Sequence, residues 1–141
     1  MIPVTEVQRV RFAALADLLL PAWGKMPSAS AVNVHRDLLD LVLQSRPDLV
    51  EEFTRGLTAC ADGEPSEAIN KLFRTDHAAF NAINLIATAA YYMTDEVRTL
   101  VGYPGQESAP YDPHETPDYL LDGTLERVVR RGPVYRPTPR S

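Results

Sequence analysis

Residues 77–93 read HAAFNAINLIATAAYYM, and this stretch decides the fold class of the chain. It contains no proline, no glycine and no charged group apart from the imidazole of His77, and six of its residues are alanine. A helix that is apolar around most of its circumference belongs inside a bundle, where alanine side chains let neighbouring helices approach closely. We therefore expect residues 77–93 to form the central helix of an all-α bundle.

One line of polar groups recurs along this central helix at helical spacing. It consists of His77, Asn81, Asn84, Thr88, Tyr91 and Tyr92. Burying such groups without hydrogen-bond partners would cost about 1–3 kcal/mol each. The pattern leaves two alternatives: these side chains are hydrogen-bonded within the chain, or they face a binding partner.

The first helix is predicted between a capping box, formed by Thr5 and Gln8, and Pro21, which disfavours helical geometry in the residue before it. Apolar residues at helical spacing predict its buried face, which comprises Val7, Val10, Ala14, Leu15, Leu18 and Leu19. In the loop that follows, we expect Trp23 to pack as a lid on the core and not to bind a ligand.

Serine residues indicate where two further helices begin. The second helix is predicted to start at Ser28 or Ser30 and to end near Ser45. Its apolar side comprises Val34, Leu38, Leu39, Leu41, Val42 and Leu43. A later short helix is predicted to be capped by Ser66, and its apolar residues are Ile69, Leu72 and Phe73.

A third helix is predicted from Pro47, which suits a first-turn position, to Asp62-Gly63, which stops it. Its apolar stripe comprises Leu49, Val50, Phe53, Leu57, Cys60 and Ala61. Because Cys60 belongs to this stripe, we expect an inert buried thiol and not a nucleophile. The neighbouring Glu51 and Glu52 are predicted to face water.

The last helix of the bundle is predicted at residues 95–101, with Thr94 as its cap and Gly102 at its end. No segment of the chain alternates polar and apolar residues as a half-buried strand does. The predicted fold of residues 1–102 is therefore all-α, an irregular bundle of five or six helices.

The composition changes at Tyr103, since seven of the 12 prolines lie from Pro104 onward and few apolar residues remain for a second core. Residues 103–141 are predicted to form an extended proline-rich C-terminal arm, with one or two helical turns at 125–131. A solvated tail is the alternative. The tyrosines near prolines favour an ordered arm that lies along the bundle or along a second protein.

Several functional classes do not fit the composition. The net charge of −5 and the absence of a basic stripe in the helical part argue against a nucleic-acid binder. The run from Ala78 to Met93 is short for a bilayer span and contains polar residues. No phosphate-binding, dinucleotide or nucleophile-elbow motif occurs. We expect no catalytic, cofactor-binding or metal-binding residue in this chain.

The three histidines are the candidates for catalysis or metal binding. His35 lies next to apolar residues and is predicted to be a core histidine bonded to a backbone carbonyl. His77 is predicted to be an exposed or half-buried residue of the first turn of the central helix. His114, with Asp112 and Glu115, could bind a divalent ion, although one histidine and two acids in a loop are a weak signal.

Two segments of the chain resemble a known family. AALADLLLP at 13–21 and YYMTDEVRTLVGYPG at 91–105 are similar to the subunit 3 family of gluconate 2-dehydrogenase, also called the gamma or small subunit. The similarity spans about residues 7–105. It implies a non-catalytic partner of an FAD-dependent dehydrogenase of the glucose-methanol-choline type, which oxidises sugars, sugar acids or polyols. In that family the small subunit binds the large one, helps it fold and in many cases carries the export signal.

The resemblance implies a large FAD-dependent subunit as the partner, with no cofactor in this chain. No twin-arginine leader precedes the first helix, which departs from the family and leads us to expect a cytoplasmic pair, with no nucleic acid and no direct membrane insertion. The expected contact residues are Tyr91, Tyr92, Tyr103, Pro104, Tyr111, Tyr119, Arg131, Tyr135 and Arg136.

Two alternatives to this function remain open from the sequence. The first is a stand-alone helical small-molecule-binding protein or small enzyme, with a pocket formed by His35, Asn81, Asn84 and Thr88. The second is a homo-oligomer in which the arm exchanges between copies.

Overall fold

The computed structural model describes residues 4–108 and 116–134, and within these ranges it contains eight α-helices and no β-strand. The all-α class predicted from the sequence is therefore confirmed. The helices are α1 (Glu6–Leu19), α2 (Asp37–Ser45), α3 (Val50–Ala59), α4 (Pro65–Thr75), α5 (His77–Met93), α6 (Asp95–Leu100), α7 (Asp118–Leu121) and α8 (Glu126–Arg131). A 3-10 turn at Pro47–Leu49 leads into α3.

The chain divides into two units, Met1–Gln106 and Glu107–Ser141. The first contains α1–α6, so the predicted bundle has six helices. The second contains α7 and α8, so its described part is not only extended chain; α8 occupies the position where one or two helical turns were predicted. No helix in the described ranges combines the length and apolar composition needed to cross a bilayer.

Helix α5 is the centre of the bundle, as its composition predicts, and it contacts α1, α2, α3, α4 and α6. Its first turn is capped by Asp76, whose carboxylate accepts a hydrogen bond from the Ala79 N–H at 3.1 Å. The Arg55 guanidinium, 2.7 Å from Asp76, lowers the pKa of that carboxyl. The buried residues of α5 are Ala79, Ala82, Ile83, Ile86, Ala87, Ala90 and Tyr91.

Helices α3 and α5 cross closely at Gly56. A Cβ atom added there would lie 2.9 Å from Ile83 Cδ1 and 3.2 Å from the Ala79 carbonyl oxygen. The Ile83 terminal methyl and the Ala79 backbone would both have to shift to accommodate a side chain on Gly56. The glycine therefore allows the two backbones to approach more closely than any other residue would.

The buried face of α1 differs from the predicted one. Phe12, Leu15 and Ala16 are completely buried, whereas Val7 is 80% exposed and Val10 and Leu18 are also exposed. Apolar residues occur on two sides of this helix, so their spacing alone did not identify the inner side. Packing selects the side that carries Phe12, whose ring meets that of Phe53 edge-on at 5.3 Å.

The loop after α1 also corrects two predictions. Trp23 is 84% exposed and is not a lid on the core. Ser30 does not cap a helix: its N–H and hydroxyl donate to the Asp17 carboxylate at 2.7 and 2.6 Å, which ties the loop to α1. Residues 29–35 form turns, and α2 begins only at Asp37.

Smaller differences concern individual helix ends and faces. The residue that precedes α4 is Glu64, and Pro65 occupies its first turn, so Ser66 lies inside the helix and is not its cap. Outside α1, three residues predicted on apolar faces are exposed, namely Leu41, Ala61 and Phe73. The Thr5–Gln8 capping box and the Thr94 cap are confirmed.

The Gly56 crossing leads to a stability prediction. We expect Gly56→Leu to reduce the free energy of unfolding by about 1–3 kcal/mol or more, because the new side chain overpacks the α3–α5 contact. Ala59→Leu, on the exposed side of α3, is the matched control and should change it by less than about 0.5 kcal/mol. Urea denaturation followed by circular dichroism measures both. Equal stability of the two variants would contradict the proposed crossing.

Candidate partner-binding surface

One of the predicted contact residues is buried inside the bundle. Tyr91 is only 3% exposed, and its hydroxyl donates to the Pro27 carbonyl at 2.7 Å. Burial raises the pKa of this phenol. Tyr91 therefore belongs to the bundle interior, where it holds the loop after α1, and we remove it from the contact set.

The remaining predicted contacts fall into three groups. Tyr92, Tyr103 and Pro104 are exposed at the end of the bundle. Tyr119 and Arg131 are exposed in the second unit. The others lie outside the described residues, namely Tyr111, Tyr135 and Arg136.

Arg98 organises the turn that presents Tyr103. Helix α6 ends in a Schellman motif, in which the Tyr103 N–H donates to the Arg98 carbonyl at 2.9 Å and the Gly102 N–H donates to the Thr99 carbonyl at 3.1 Å. Gly102 has the positive φ of 68° that this motif requires. The reversed chain returns over the side chain of Arg98.

The guanidinium of Arg98 packs against this turn. Its Cζ lies 5.7 Å from the centre of the Tyr103 ring, and a Cβ added at Gly105 would lie 2.7 Å from Nη2. Nε of Arg98 is buried and has no hydrogen-bond partner among the described residues. In the sequence, the only sign that Arg98 supports this turn is its position five residues before the tyrosine of GYPG.

Exposed large apolar and aromatic side chains also recur in the segment that runs from the end of α5 through α6 to Tyr103. Between residues 92 and 103, five of them are 41–55% exposed. We call this set the α5–α6 surface, and it comprises Tyr92, Met93, Leu100, Val101 and Tyr103. Aromatic and methionine side chains are enriched at protein interfaces, so this composition suits a protein partner.

Apart from Tyr91, the polar line of α5 is not buried. His77 and Asn81 are exposed, and Asn84 and Thr88 are half-buried. The ring of His77 packs between Phe73 and Phe80, with centroid distances of 5.2 and 6.1 Å. These four side chains therefore lie toward solvent, so they do not incur the free-energy cost of burying unpaired polar groups.

The residues of the predicted small-molecule pocket line none of four clefts of the described part of the chain. A cleft of ≈ 280 Å³ lies between α1, α4 and α5, and it is lined mainly by Leu18, Leu19, Ile69, Phe73 and Phe80. Three other clefts are lined by further residues of α1–α3, α7 and α8, and none of the four includes His35, Asn81, Asn84 or Thr88.

His35 differs from the prediction in its hydrogen bonding. The residue is half-buried, and its Nδ1 is buried with no hydrogen-bond partner in the part of the chain that the structure describes. The expected bond to a backbone carbonyl is therefore absent from this nitrogen. Burial, together with the charge of Arg36, lowers the pKa of His35.

Other candidates for chemistry are accounted for by packing. Cys60 is completely buried, and this burial raises the pKa of its thiol, as expected for an inert core cysteine. No group of three metal-ligating side chains occurs within residues 4–108 and 116–134. The acidic loop with Asp112, His114 and Glu115 lies outside the described residues.

Comparison of the chain with models of protein families, with curated proteins and with solved structures finds no match.

The role of Tyr91 can be tested by removing one oxygen atom. We expect Tyr91→Phe to lower the free energy of unfolding by about 1 kcal/mol, because the Pro27 carbonyl loses its donor. Tyr92→Phe, on the exposed neighbour, is the matched control and should have almost no effect. Thermal and urea unfolding measure the difference. An equal loss in both variants would show that the Tyr91–Pro27 bond contributes nothing.

His35 should make the stability depend on pH. Because burial lowers its folded-state pKa, the imidazole is protonated more readily in the unfolded chain, whose pKa is about 6.5. The free energy of unfolding should therefore be largest above pH 6.5 and fall as the pH drops through 6.5 toward the lower pKa of the folded state. His35→Gln should remove this part of the slope in urea titrations. An unchanged slope would contradict the assignment.

Proposed function

We propose that this chain is the non-catalytic small subunit of a complex with an FAD-dependent dehydrogenase of the glucose-methanol-choline type. The large subunit acts on a sugar, a sugar acid or a polyol and holds the FAD. This chain binds the large subunit, stabilises it and assists its folding. It contributes no catalytic residue and no cofactor site of its own.

One observation carries the proposal: the motif segment and the exposed apolar surface coincide. Residues 91–105 hold the more specific part of the resemblance to the small-subunit family. Residues 92–103 hold the five exposed side chains of the α5–α6 surface. A bundle that already buries a complete core has no internal need for this surface, so a protein partner accounts for it better than folding does.

The α5–α6 surface is also pre-organised for binding. Tyr103 is fixed by the Schellman motif and by the guanidinium of Arg98, so its ring loses little conformational freedom when a partner covers it. Tyrosine side chains fixed in this way are typical of the residues that dominate binding energy at interfaces. The large subunit is expected to present an apolar pocket to Tyr103 and Leu100.

Purification of the tagged chain from its native cells tests the proposal directly. We expect a flavoprotein of the glucose-methanol-choline type to co-purify, identified by mass spectrometry and by flavin absorbance. The large subunit produced alone should be poorly soluble or should lack flavin. A large subunit that is soluble, flavin-loaded and fully active without this chain would refute the proposal.

A pair of matched variants tests the surface itself. Leu100 is 41% exposed on the α5–α6 surface, and Leu41 is 44% exposed on α2. We expect Leu100→Glu to weaken binding of the large subunit by about tenfold or more, because a charge would be desolvated at the interface. Leu41→Glu should leave binding unchanged. Neither variant should alter the free energy of unfolding by more than about 0.5 kcal/mol.

Affinity measured by biolayer interferometry with the purified large subunit distinguishes the two variants. Equal affinity for Leu100→Glu and Leu41→Glu would place the contact elsewhere on the chain and would remove the main support for the proposal.

A further inference from the structure

The second unit exposes apolar side chains that its own helices do not cover. No residue between 116 and 134 is buried. Six large apolar side chains of this segment are 37–75% exposed, namely Leu120, Leu121, Leu125, Val128, Val129 and Val134. Several of them line a cleft of ≈ 480 Å³ formed by α7 and α8. Within this segment, exposure on this scale indicates a surface that another molecule covers.

The charges of this segment are separated along the chain. Its acids all come first, at Asp118, Asp122 and Glu126, and its arginines all come afterwards. These are Arg127, Arg130 and Arg131. The junction between residues 126 and 127 also divides the apolar set, with three side chains before it and three after it. The six apolar side chains, which we call the apolar region, are therefore shared between an acidic half and a basic half.

Most of these charges have no ion-pair partner in the part of the chain that the structure describes. Glu126 and Arg130 form a pair at 3.0 Å, one helical turn apart. Asp118, Asp122, Arg127 and Arg131 form no ion pair there. They are available to a molecule that covers the apolar region.

We propose that the occupant of this surface is the same segment of a second copy of the chain, related by a two-fold axis. Antiparallel association places the acidic half of each copy opposite the basic half of the other and brings the two apolar regions together. A two-fold interface repeats every contact, so each complementary pair is formed twice. This inference is independent of the proposed function, which concerns the α5–α6 surface.

The charge pattern favours a second copy over other occupants. An anionic membrane or a nucleic acid would attract the arginines and repel the adjacent acids. A protein surface of a single sign would match only one half of the segment. The segment itself is complementary to both halves at once, and only in the antiparallel orientation, because the parallel one opposes like charges.

Charge-reversal variants of the full chain test the proposal by analytical ultracentrifugation. The wild type is expected to form dimers that weaken when salt rises from about 10 mM to about 1 M, which shortens the Debye length from about 30 Å to about 3 Å. Arg127→Glu with Arg131→Glu gives an acidic variant, and Asp118→Arg with Asp122→Arg gives a basic one. Each alone should raise the dimer dissociation constant by about tenfold or more.

The decisive result is obtained by mixing the two variants. Each variant alone should dimerise only weakly, and an equimolar mixture should restore a one-to-one dimer, because each acidic half again meets a basic half. Glu51→Arg with Glu67→Arg, on exposed sites of the bundle, changes the net charge as much as the basic variant does and is the matched control. This control should dimerise like the wild type.

An apolar variant separates association from folding. Val129 is 75% exposed, so Val129→Lys should preserve the helical circular dichroism spectrum and abolish the dimer. A wild-type chain that stays monomeric at every concentration and salt level would overturn the proposal. So would charge-reversal variants that fail to pair when mixed. The proposal is also overturned if these variants lose the flavoprotein partner while the wild type alone is a monomer.

Discussion

The close crossing of α3 over α5 is the contact on which the rest of the bundle depends. Gly56 supplies the space, and Ala79 and Ile83 fill it from the other side. Because α5 contacts five other helices, its position relative to α3 fixes where α1, α2 and α4 can pack. The small alanine side chains of α5 therefore set how closely each neighbouring helix can pack, and larger core side chains fill the gaps that remain.

The loops of the bundle are held by arginines of α1. Arg11 donates to the carbonyls of Cys60, Asp62 and Gly63, and so closes the connection between α3 and α4. Arg9 donates to the carbonyls of His35 and Arg36 and pairs with Asp40 at 2.6 Å. Backbone carbonyls in connections need donors when α-helical bonds do not reach them, and guanidinium groups supply several donors from one side chain.

The α5–α6 surface and the exposed apolar side chains of α7 and α8 differ in how they are built. The α5–α6 surface is rigid, because a helix end, a Schellman turn and the Arg98 guanidinium fix it. The surface of α7 and α8 is formed by two short helices with no buried residue. If the proposed partners bind, the first surface loses little conformational entropy, whereas the second has to be ordered by the molecule that covers it.

The sequence alone determined the fold class, the limits of α5, the capping of α1 and α6 and the buried thiol of Cys60. These features depend on local rules: which residues disfavour a helix, which side chains cap one, and how apolar residues repeat along it. It also indicated Tyr103 and its turn as a surface feature. The function implied by the family resemblance remains a proposal.

Only the tertiary structure decided which of two apolar faces of α1 is buried, that Trp23 lies in solvent, and that Tyr91 is an internal residue bonded to Pro27. It also decided that Ser30 binds Asp17 and does not begin a helix, and that Arg98 supports the Tyr103 turn. The physical reason is that local patterns do not encode these outcomes: Tyr91 and Ser30 bind partners distant in sequence, and α1 has two apolar faces between which only packing chooses.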